Sequence, residues 1–155
     1  MKGNEKLIAT LNALLSDELT AISQYMVHSE MCANWRFETL HNAIEKRAID
    51  EMKHAEKHIG RILFLEGVPI VSDLKKMMIG PDVETQLAND RIAETDAIHA
   101  YNEAIRQAVE CADNGTREML EDILEDEEDH LDWLEAQLDQ IRLIGIQNYL
   151  TEQIG

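Results

Sequence analysis

Two stretches of the sequence each place a glutamate and a histidine three residues apart. They are D-E-M-K-H, beginning at Asp50, and D-E-E-D-H, beginning at Asp126. Residues three apart lie side by side on a helix, so each stretch would present a carboxylate and an imidazole in one direction. Carboxylate oxygens and imidazole nitrogens bind divalent transition metals such as iron, manganese and zinc. Each stretch is therefore a candidate half of a metal site.

The two stretches belong to a longer internal repeat. At an offset of 76 residues, E-L-T-A-I-S-Q-Y from Glu18 matches E-T-D-A-I-H-A-Y from Glu94. The spacing from Glu18 to Glu51 is 33 residues, and the spacing from Glu94 to Glu127 is the same. The chain therefore contains two copies of one unit. Each copy supplies one glutamate from its first segment and a Glu-x-x-His from its second.

The neighbours of these glutamates indicate burial. On a helix, Glu18 would share its face with Leu14, Ile22 and Tyr25, and the other three glutamates have similar apolar neighbours. A lone Glu-x-x-His in an acidic chain usually marks a charged surface stripe. Buried ionised carboxylates, however, cost several kcal/mol each unless cations compensate them. The doubled motif therefore predicts a two-metal site, better suited to iron or manganese than to zinc. Its predicted ligands are Glu18, Glu51, His54, Glu94, Glu127 and His130.

Helices must position these ligands. Proline and glycine are sparse and cluster between residues 67 and 81, which leaves long helical segments on either side. Asn114-Gly115 is a turn signal, and a short fifth helix is predicted after Gly145. The four long predicted helices are A (5–34), B (36–65), C (83–111) and D (115–145).

The lengths of the connections predict the topology. Short A–B and C–D connections make each of these pairs an antiparallel hairpin. A helix of about 28 residues spans roughly 42 Å, and an extended link of about 16 residues reaches roughly 53 Å. The B–C link can therefore run the length of the bundle. The prediction is an all-α, single-domain protein over residues 1–155, a four-helix bundle with one long B–C crossover and a short C-terminal fifth helix.

Composition restricts the function and location. The 31 acidic and 14 basic residues give a formal net charge of −17. This charge argues against nucleic-acid binding and suits a protein that handles cations. No apolar run approaches the roughly 18 residues of a membrane span. The start, M-K-G-N-E-K-L-I-A-T, lacks the apolar core of a signal peptide, so we expect a cytoplasmic protein. Cys32 and Cys111 are expected to be free thiols.

Residues around the ligands have less specific signals. A metal-bound histidine usually donates its other N–H to a carboxylate or carbonyl. We predict that Asp126 orients His54 and that Asp50 orients His130; the alternative is that both aspartates are solvated. Tyr25 could bond a ligand carboxylate, pass an electron or only pack.

The remaining aromatic and histidine side chains are assigned structural roles. Packing is favoured for Tyr101. The four histidines outside the repeat show no pairing, and surface or interface positions are favoured for them. They are His28, His41, His58 and His99.

Met52 lies inside the first Glu-x-x-His but serves a different face. It is about 160° around the helix from His54, so the two cannot bind one metal. Ile49, Ala55 and Ile59 share the Met52 face, which points out of the bundle. An exposed apolar helix face indicates a partner subunit, and across a twofold axis Met52 could meet its own copy. Spacing alone favours interface packing over haem ligation by the thioether.

The whole chain resembles the bacterioferritin family. The matching segments are MKGNEKLI, NALLSDELTAISQY, NWRFETL, IDEMKHAEKHIGRILFLEGVP, EDEEDHLDWLEAQLD and GIQNYL. The resemblance implies a ferritin-like bundle whose six predicted ligands form a di-iron ferroxidase centre, using O₂ or H₂O₂ to oxidise Fe²⁺. It implies haem b held by Met52 and the twofold-related copy of Met52. It further implies a 24-subunit iron-storing shell that is reduced through the haem by a small ferredoxin. Lys46 replaces a histidine that helps to hold inner-surface iron in some relatives, so we do not expect that site.

Two other functions remain open at this point. A di-iron enzyme without storage, such as a peroxidase or oxygenase, would need an open substrate pocket. A rubrerythrin-like protein would need a CxxC iron site, which the sequence lacks. A non-catalytic, haem-bridged dimer that transfers electrons is the second alternative.

Overall fold

The computed structural model describes residues 1–155 and contains five helices and no strand. The predicted all-α class and the order of the elements are confirmed, and the predicted helix bounds agree to within two residues. No helix combines the length and apolarity that a membrane crossing requires. The helices are α1 (Glu5–Asn34), α2 (Glu38–Phe64), α3 (Val83–Glu110), α4 (Asn114–Ile144) and α5 (Ile146–Thr151).

Three of the long helices end in the same way. Each is followed by a non-glycine residue in the left-handed region: Arg36 (φ 68°), Glu66 (φ 64°) and Ala112 (φ 55°). The next N–H then donates to the carbonyl five residues back, as Asp113 does to Ala108 at 2.9 Å. This is the Schellman arrangement, which satisfies carbonyls that would otherwise lack a partner. The α1 and α3 turns are therefore tight enough for antiparallel hairpins.

The predicted C–D turn at Asn114-Gly115 is wrong by two or three residues. The turn lies at residues 111–113, and Asn114 and Gly115 are the first residues of α4. Asp113 caps the helix, because its side chain accepts a hydrogen bond from the Thr116 N–H at 3.0 Å. The capping aspartate therefore sets the start of α4, and Asn114 and Gly115 lie in the first turn of the helix.

A polar stripe on α1 holds the long crossover in place. The stripe has a polar residue at every fourth position, and each of its side chains bonds the backbone of residues 68–80. Asn12, for example, donates to the Val68 carbonyl and accepts from the Ile70 N–H. The crossover therefore runs along the bundle, as the sequence predicted, and the structure shows that it lies against α1. The stripe consists of Asn12, Ser16, Thr20, Gln24 and His28.

The structure corrects two of the four histidine assignments. His28 and His58 are both fully buried. His28 links the crossover to α3, since Nε2 accepts from the Gly80 N–H at 3.0 Å and Nδ1 lies 2.9 Å from Asp90 Oδ1. His41 is partly exposed and His99 is exposed, as predicted.

The core has two apolar clusters with a polar layer between them. Along α1, for example, Glu18 lies between Leu15 of the first cluster and Tyr25 of the second. Both clusters draw on all four long helices, so each helix crosses the polar layer near its middle. The first cluster includes Leu11, Ile62, Ala104 and Leu120, and the second includes Cys32, Ile44, Leu87 and Ile141.

We predict that Gly80→Ala destabilises the protein. A Cβ at Gly80 would lie 2.5 Å from the backbone nitrogen of Gln86, where α3 begins. Moving the backbone to relieve this contact should cost about 1–3 kcal/mol, which thermal unfolding will detect.

Gly60→Ala is the matched control. A Cβ at Gly60, on the exposed side of α2, meets nothing within 4 Å. Alanine should stabilise the helix there by about 0.5–1 kcal/mol. Equal melting temperatures for the two variants would contradict the close approach of the crossover to α3.

Candidate metal centre

The six residues from the repeat meet in the polar layer. They form two overlapping groups, and within each group the candidate ligand atoms lie within 4.8 Å of one another. Glu51 and Glu127 belong to both groups. All six side chains are buried. One group is Glu18, Glu51, His54 and Glu127, and the other is Glu51, Glu94, Glu127 and His130.

The geometry suits two ions held side by side. Each group has one histidine and one glutamate of its own, and both groups share the central glutamates Glu51 and Glu127. Shared carboxylates can bridge two metals. The glutamate and histidine that belong to one group only, here called its private residues, complete the ligand set of that ion; they are Glu18 with His54 and Glu94 with His130. The two groups are related by the repeat, since Glu18 corresponds to Glu94 and His54 to His130.

An aspartate lies beside each histidine, on the side away from the glutamates. His54 Nε2 lies 2.8 Å from Asp126 Oδ2, and His130 Nε2 lies 3.3 Å from Asp50 Oδ2. A proton on Nε2 directed at the aspartate leaves Nδ1 of each ring facing the glutamates. His54 Nδ1 is 2.8 Å from Glu127 Oε1. The aspartates thus occupy the positions that sequence analysis assigned to them.

Two tyrosines hold the private glutamates. Tyr25 donates to Glu94 Oε1 at 2.5 Å, and Tyr101 donates to Glu18 Oε1. Both tyrosines are buried. Packing was favoured for Tyr101, but its hydroxyl also bonds a candidate ligand. Each bond occupies Oε1 and leaves Oε2 of that glutamate without a partner.

Several buried oxygen and nitrogen atoms of the six residues lack a well-directed hydrogen bond, which is where bound cations would fit. Buried polar atoms normally have a partner, and unpaired ones are costly. Five of the buried atoms without a well-directed hydrogen bond belong to the six residues, although His54 Nδ1 faces Glu127 Oε1 at 2.8 Å and His130 Nδ1 faces Glu51 Oε1 at 3.0 Å. A cavity of about 390 Å³ reaches all four glutamates. Cations would satisfy all five. They are Glu18 Oε2, Glu51 Oε1, Glu94 Oε2, Glu127 Oε1 and His130 Nδ1.

Protons compensate part of the charge in the metal-free chain. Burial raises the pKa of Glu51 well above its usual value, and the charge of Glu18 adds to the effect. Burial, followed by contact with Glu94, raises the pKa of Glu127 in the same way. Burial acts to raise the pKa of Glu18, but the neighbouring Glu51 and His54 outweigh it and lower the pKa to about 2. Protons therefore bind more readily to the central glutamates than to the private ones.

His54 is the positive group of this network. Burial acts to lower its pKa, but Glu127 and Glu18 outweigh burial and raise the pKa to about 11. His54 is thus an imidazolium near neutral pH, with both nitrogens facing carboxylates. A metal ion at Nδ1 would replace that proton.

Met52 lies outside the centre, on the solvent side of α2. Its side chain is 46% exposed, and Ile49, one turn earlier, is 43% exposed. Met26 on the antiparallel neighbour α1 is 52% exposed. Met52 is therefore exposed while His54 is buried, in agreement with the prediction that the two serve different faces of α2.

One residue that contacts this network was assigned elsewhere by sequence analysis. His58 Nε2 lies 2.6 Å from the Tyr101 hydroxyl. His58 is two turns after Glu51 and one turn after His54, so its helical face was a signal that could have indicated this position.

Comparison with known proteins places the chain in a family. A profile of the ferritin-like domain matches residues 8–144. A bacterial ferritin of Synechocystis sp. is 41% identical over 156 residues, covering all of both chains. A bacterioferritin of Rhodobacter capsulatus is 40% identical over 149 residues, covering 96% of this chain and 92% of its own. The fold and site define a ferritin-like protein with a buried carboxylate–histidine cluster that fits a metal site. Within that class, the chain belongs to the family of the bacterioferritins and bacterial ferritins.

We predict that metal binding releases protons and strengthens with pH. His54 must lose a proton that it holds up to a pH of about 11, and protonated Glu51 and Glu127 must lose theirs. At least one proton per centre should be released at pH 7. Affinity should rise by about tenfold per pH unit and per released proton between pH 6 and 8.

Calorimetry in buffers of different ionisation enthalpy measures the proton count. A pH-independent affinity over that range, with no proton release, would contradict the charge state derived for His54.

Proposed function

We propose that this protein stores iron, oxidising Fe²⁺ at the six-residue centre and holding the product as a ferric mineral. The observation that carries the proposal is the buried set of unpartnered carboxylate and imidazole atoms around a shared pair of glutamates. In this proposal the whole chain, residues 1–155, acts as one ferritin-like di-iron domain.

Iron enters the centre as substrate. Each Fe²⁺ takes a private glutamate and histidine, Glu18 with His54 or Glu94 with His130, and Glu51 and Glu127 bridge the two ions. Four carboxylates then balance four positive charges, which removes most of the burial cost. The cavity that opens onto the glutamates is also lined by Asp17, Asp96, Lys75 and Lys76, and Asp17 pairs with Lys75. The attraction for cations therefore comes from the four glutamates and from the net charge of the chain.

Oxidation needs only the two bound irons and a two-electron acceptor. Each Fe²⁺ loses one electron. Dioxygen takes up the two electrons and two protons to give H₂O₂, or H₂O₂ takes them up to give two molecules of water. The role of the chain is to place both irons beside each other in a dry layer, with Tyr25 and Tyr101 fixing the glutamates.

Storage requires an enclosed space that one chain does not provide. We propose a homo-oligomeric shell of 24 copies built from twofold dimers, in the cytoplasm. Support comes from the relatives named bacterioferritin and bacterial ferritin, which match nearly the whole chain. The net charge of −17 suits a surface that collects cations.

The exposed Met52 surface is proposed as a haem b site between twofold-related copies. A soft thioether among exposed apolar side chains suits a haem iron and its apolar ring. The fit comes from the exposed thioether together with Ile49 and Met26. Haem bound there would supply one-electron transfer, for release of stored iron with a small ferredoxin as reductant. Met52 would hold the ring at the subunit boundary.

We predict that Glu18→Ala combined with His130→Ala slows rapid Fe²⁺ oxidation by at least about a hundredfold. Removing a supporting residue alone commonly costs 10–100-fold in metal affinity, and these changes remove one ligand from each ion. Stopped-flow absorbance of ferric product measures the rate. His99→Ala, at an exposed histidine outside the centre, is the control and should match the unmodified protein.

Iron loading separates storage from the alternatives. A store takes up many more irons than the two held at each centre. Loading that stops at about two irons per chain would indicate a di-iron enzyme without storage. Unchanged oxidation in the double variant would instead favour the electron-transfer alternative.

We predict that Met52→Leu abolishes the haem absorbance of the purified protein while rapid iron oxidation persists. Leucine keeps the apolar volume but lacks the sulfur ligand. Met119→Leu is the matched control, because Met119 is partly buried against the first apolar cluster. Haem retained at the same stoichiometry in Met52→Leu would rule out Met52 as the ligand.

A further inference from the structure

A hydrogen-bonded chain leads from one side of the metal centre to a buried histidine. Tyr101 donates its hydroxyl proton to Glu18 Oε1, and His58 Nε2 lies 2.6 Å from the same hydroxyl. The His58 and Tyr101 rings face each other at 5.8 Å between centroids, tilted by 31°. His58 and Tyr101 are both essentially inaccessible to solvent. The three side chains therefore form one rigid row in the core.

The positions of the protons follow from the number of donors. Burial lowers the pKa of His58 to about 4, so its ring is neutral and has a single N–H. The hydroxyl proton of Tyr101 is used on Glu18, so the oxygen of Tyr101 can only accept from His58. The histidine proton must then be on Nε2. The other nitrogen, Nδ1, is buried without a partner, as expected for the bare acceptor of that tautomer.

The other half of the repeat lacks this arrangement. The offset of 76 residues relates Glu18 to Glu94 and Tyr101 to Tyr25, but it relates His58 to Leu134. Tyr25 and Leu134 border the same small cavity, so the aliphatic side chain lies where the histidine would be. Tyr25 bonds Glu94, and no side chain donates to Tyr25. The two metal positions have equivalent ligands but different support.

We propose that His58 is a positioning residue which, through Tyr101, holds Glu18 in its metal-binding orientation and makes the Glu18–His54 position the tighter of the two. The inference rests on the ligand roles in the proposed function. Its expected consequence is stepwise loading, with the first ion bound beside Glu18 and the second beside Glu94.

The physical basis is the restriction of one carboxylate torsion. The terminal torsion of a glutamate is broad, so an unsupported carboxylate samples many orientations. A donor chain in which each bond polarises the next strengthens the Tyr101–Glu18 bond and leaves Oε2 free for the metal. The Tyr101 hydrogen bond also draws electron density from the Glu18 carboxylate, and this effect alone would weaken metal binding. Orienting partners nonetheless raise metal affinity overall, since their removal typically costs 10–100-fold.

Anaerobic titration of the metal-free protein with Co²⁺ tests the proposal, with the visible absorbance of bound cobalt as the readout. The unmodified protein should bind two ions per chain in two steps whose affinities differ by at least about tenfold. Cobalt bound elsewhere, such as at the surface group Glu30, His41 and Glu45, is measured in the Glu18→Ala/His130→Ala variant and subtracted.

Three substitutions test the path. His58→Leu, which copies the residue of the other half, should weaken the first step by about tenfold or more and leave the second unchanged. Tyr101→Phe deletes a single oxygen and should do the same, and adding His58→Leu to it should cause no further loss. His58→Gln keeps an N–H donor and should restore part of the difference. Leu134→Met, at the corresponding position, should leave both steps unchanged.

The outcomes separate this inference from the proposed function. Two equal steps in the unmodified protein, or equal weakening of both steps by His58→Leu and Tyr101→Phe, would overturn the positioning role while two bound ions per chain uphold the metal centre. If cobalt binding does not differ between the unmodified protein and the Glu18→Ala/His130→Ala variant, the metal centre itself is overturned. Tyr101→Phe decides the matter if His58→Leu does not fold.

Discussion

The repulsion among four carboxylates in a dry layer is the constraint on which this structure depends. Each would cost several kcal/mol as an isolated buried charge, and their oxygens lie within 4.8 Å of one another in each group. The chain offsets this with protons on Glu51 and Glu127, with the imidazolium of His54, and with hydroxyl donors from two tyrosines. These groups only partly satisfy the layer, since five ligand-type atoms make no well-directed hydrogen bond. The apolar clusters on either side supply the stability that allows an unsatisfied layer to persist.

The centre also depends on a segment that contributes none of its ligands. The polar stripe of α1 fixes the crossover, and the same helix carries Glu18 into the core. Thr20 and Gln24 of the stripe line the cavity above the glutamates, together with Lys75 and Met78 of the crossover. The crossover is thus the outer wall of the metal cavity as well as a connection between hairpins. A bundle with a short connection between the same helices would leave this side of the carboxylate layer open to water.

The sequence predicted the helices and the six candidate residues of the site, because the corresponding pattern occurs in both halves of the repeat. Amphipathic periodicity indicates a helix, and the 76-residue offset gives every candidate ligand a counterpart of the same residue type. Two of the features that sequence analysis missed have no counterpart in the other half of the repeat. His28 belongs to a stripe with a spacing of four, which on an amphipathic helix looks like a solvated face. His58 has leucine at its related position, so the repeat gave it no support. Arg36, Glu66 and Ala112 adopt left-handed conformations that their residue types do not indicate.

Duplication explains why the ligands agree between the halves, and the surroundings show where the halves can differ. Two cations balance four carboxylates only when both halves contribute, so replacing one ligand would leave a buried charge uncompensated. Residues that contact the candidate ligands without binding metal themselves are not subject to this charge balance. His58 on one side is matched by Leu134 on the other, and Asp90 with His28 by Leu14 with Ala104. The His58 side chain hydrogen-bonds only the tyrosine that bonds Glu18, so in the proposed centre its replacement would change the support of one metal position. The proposed centre thus combines a symmetric ligand set with unequal surroundings.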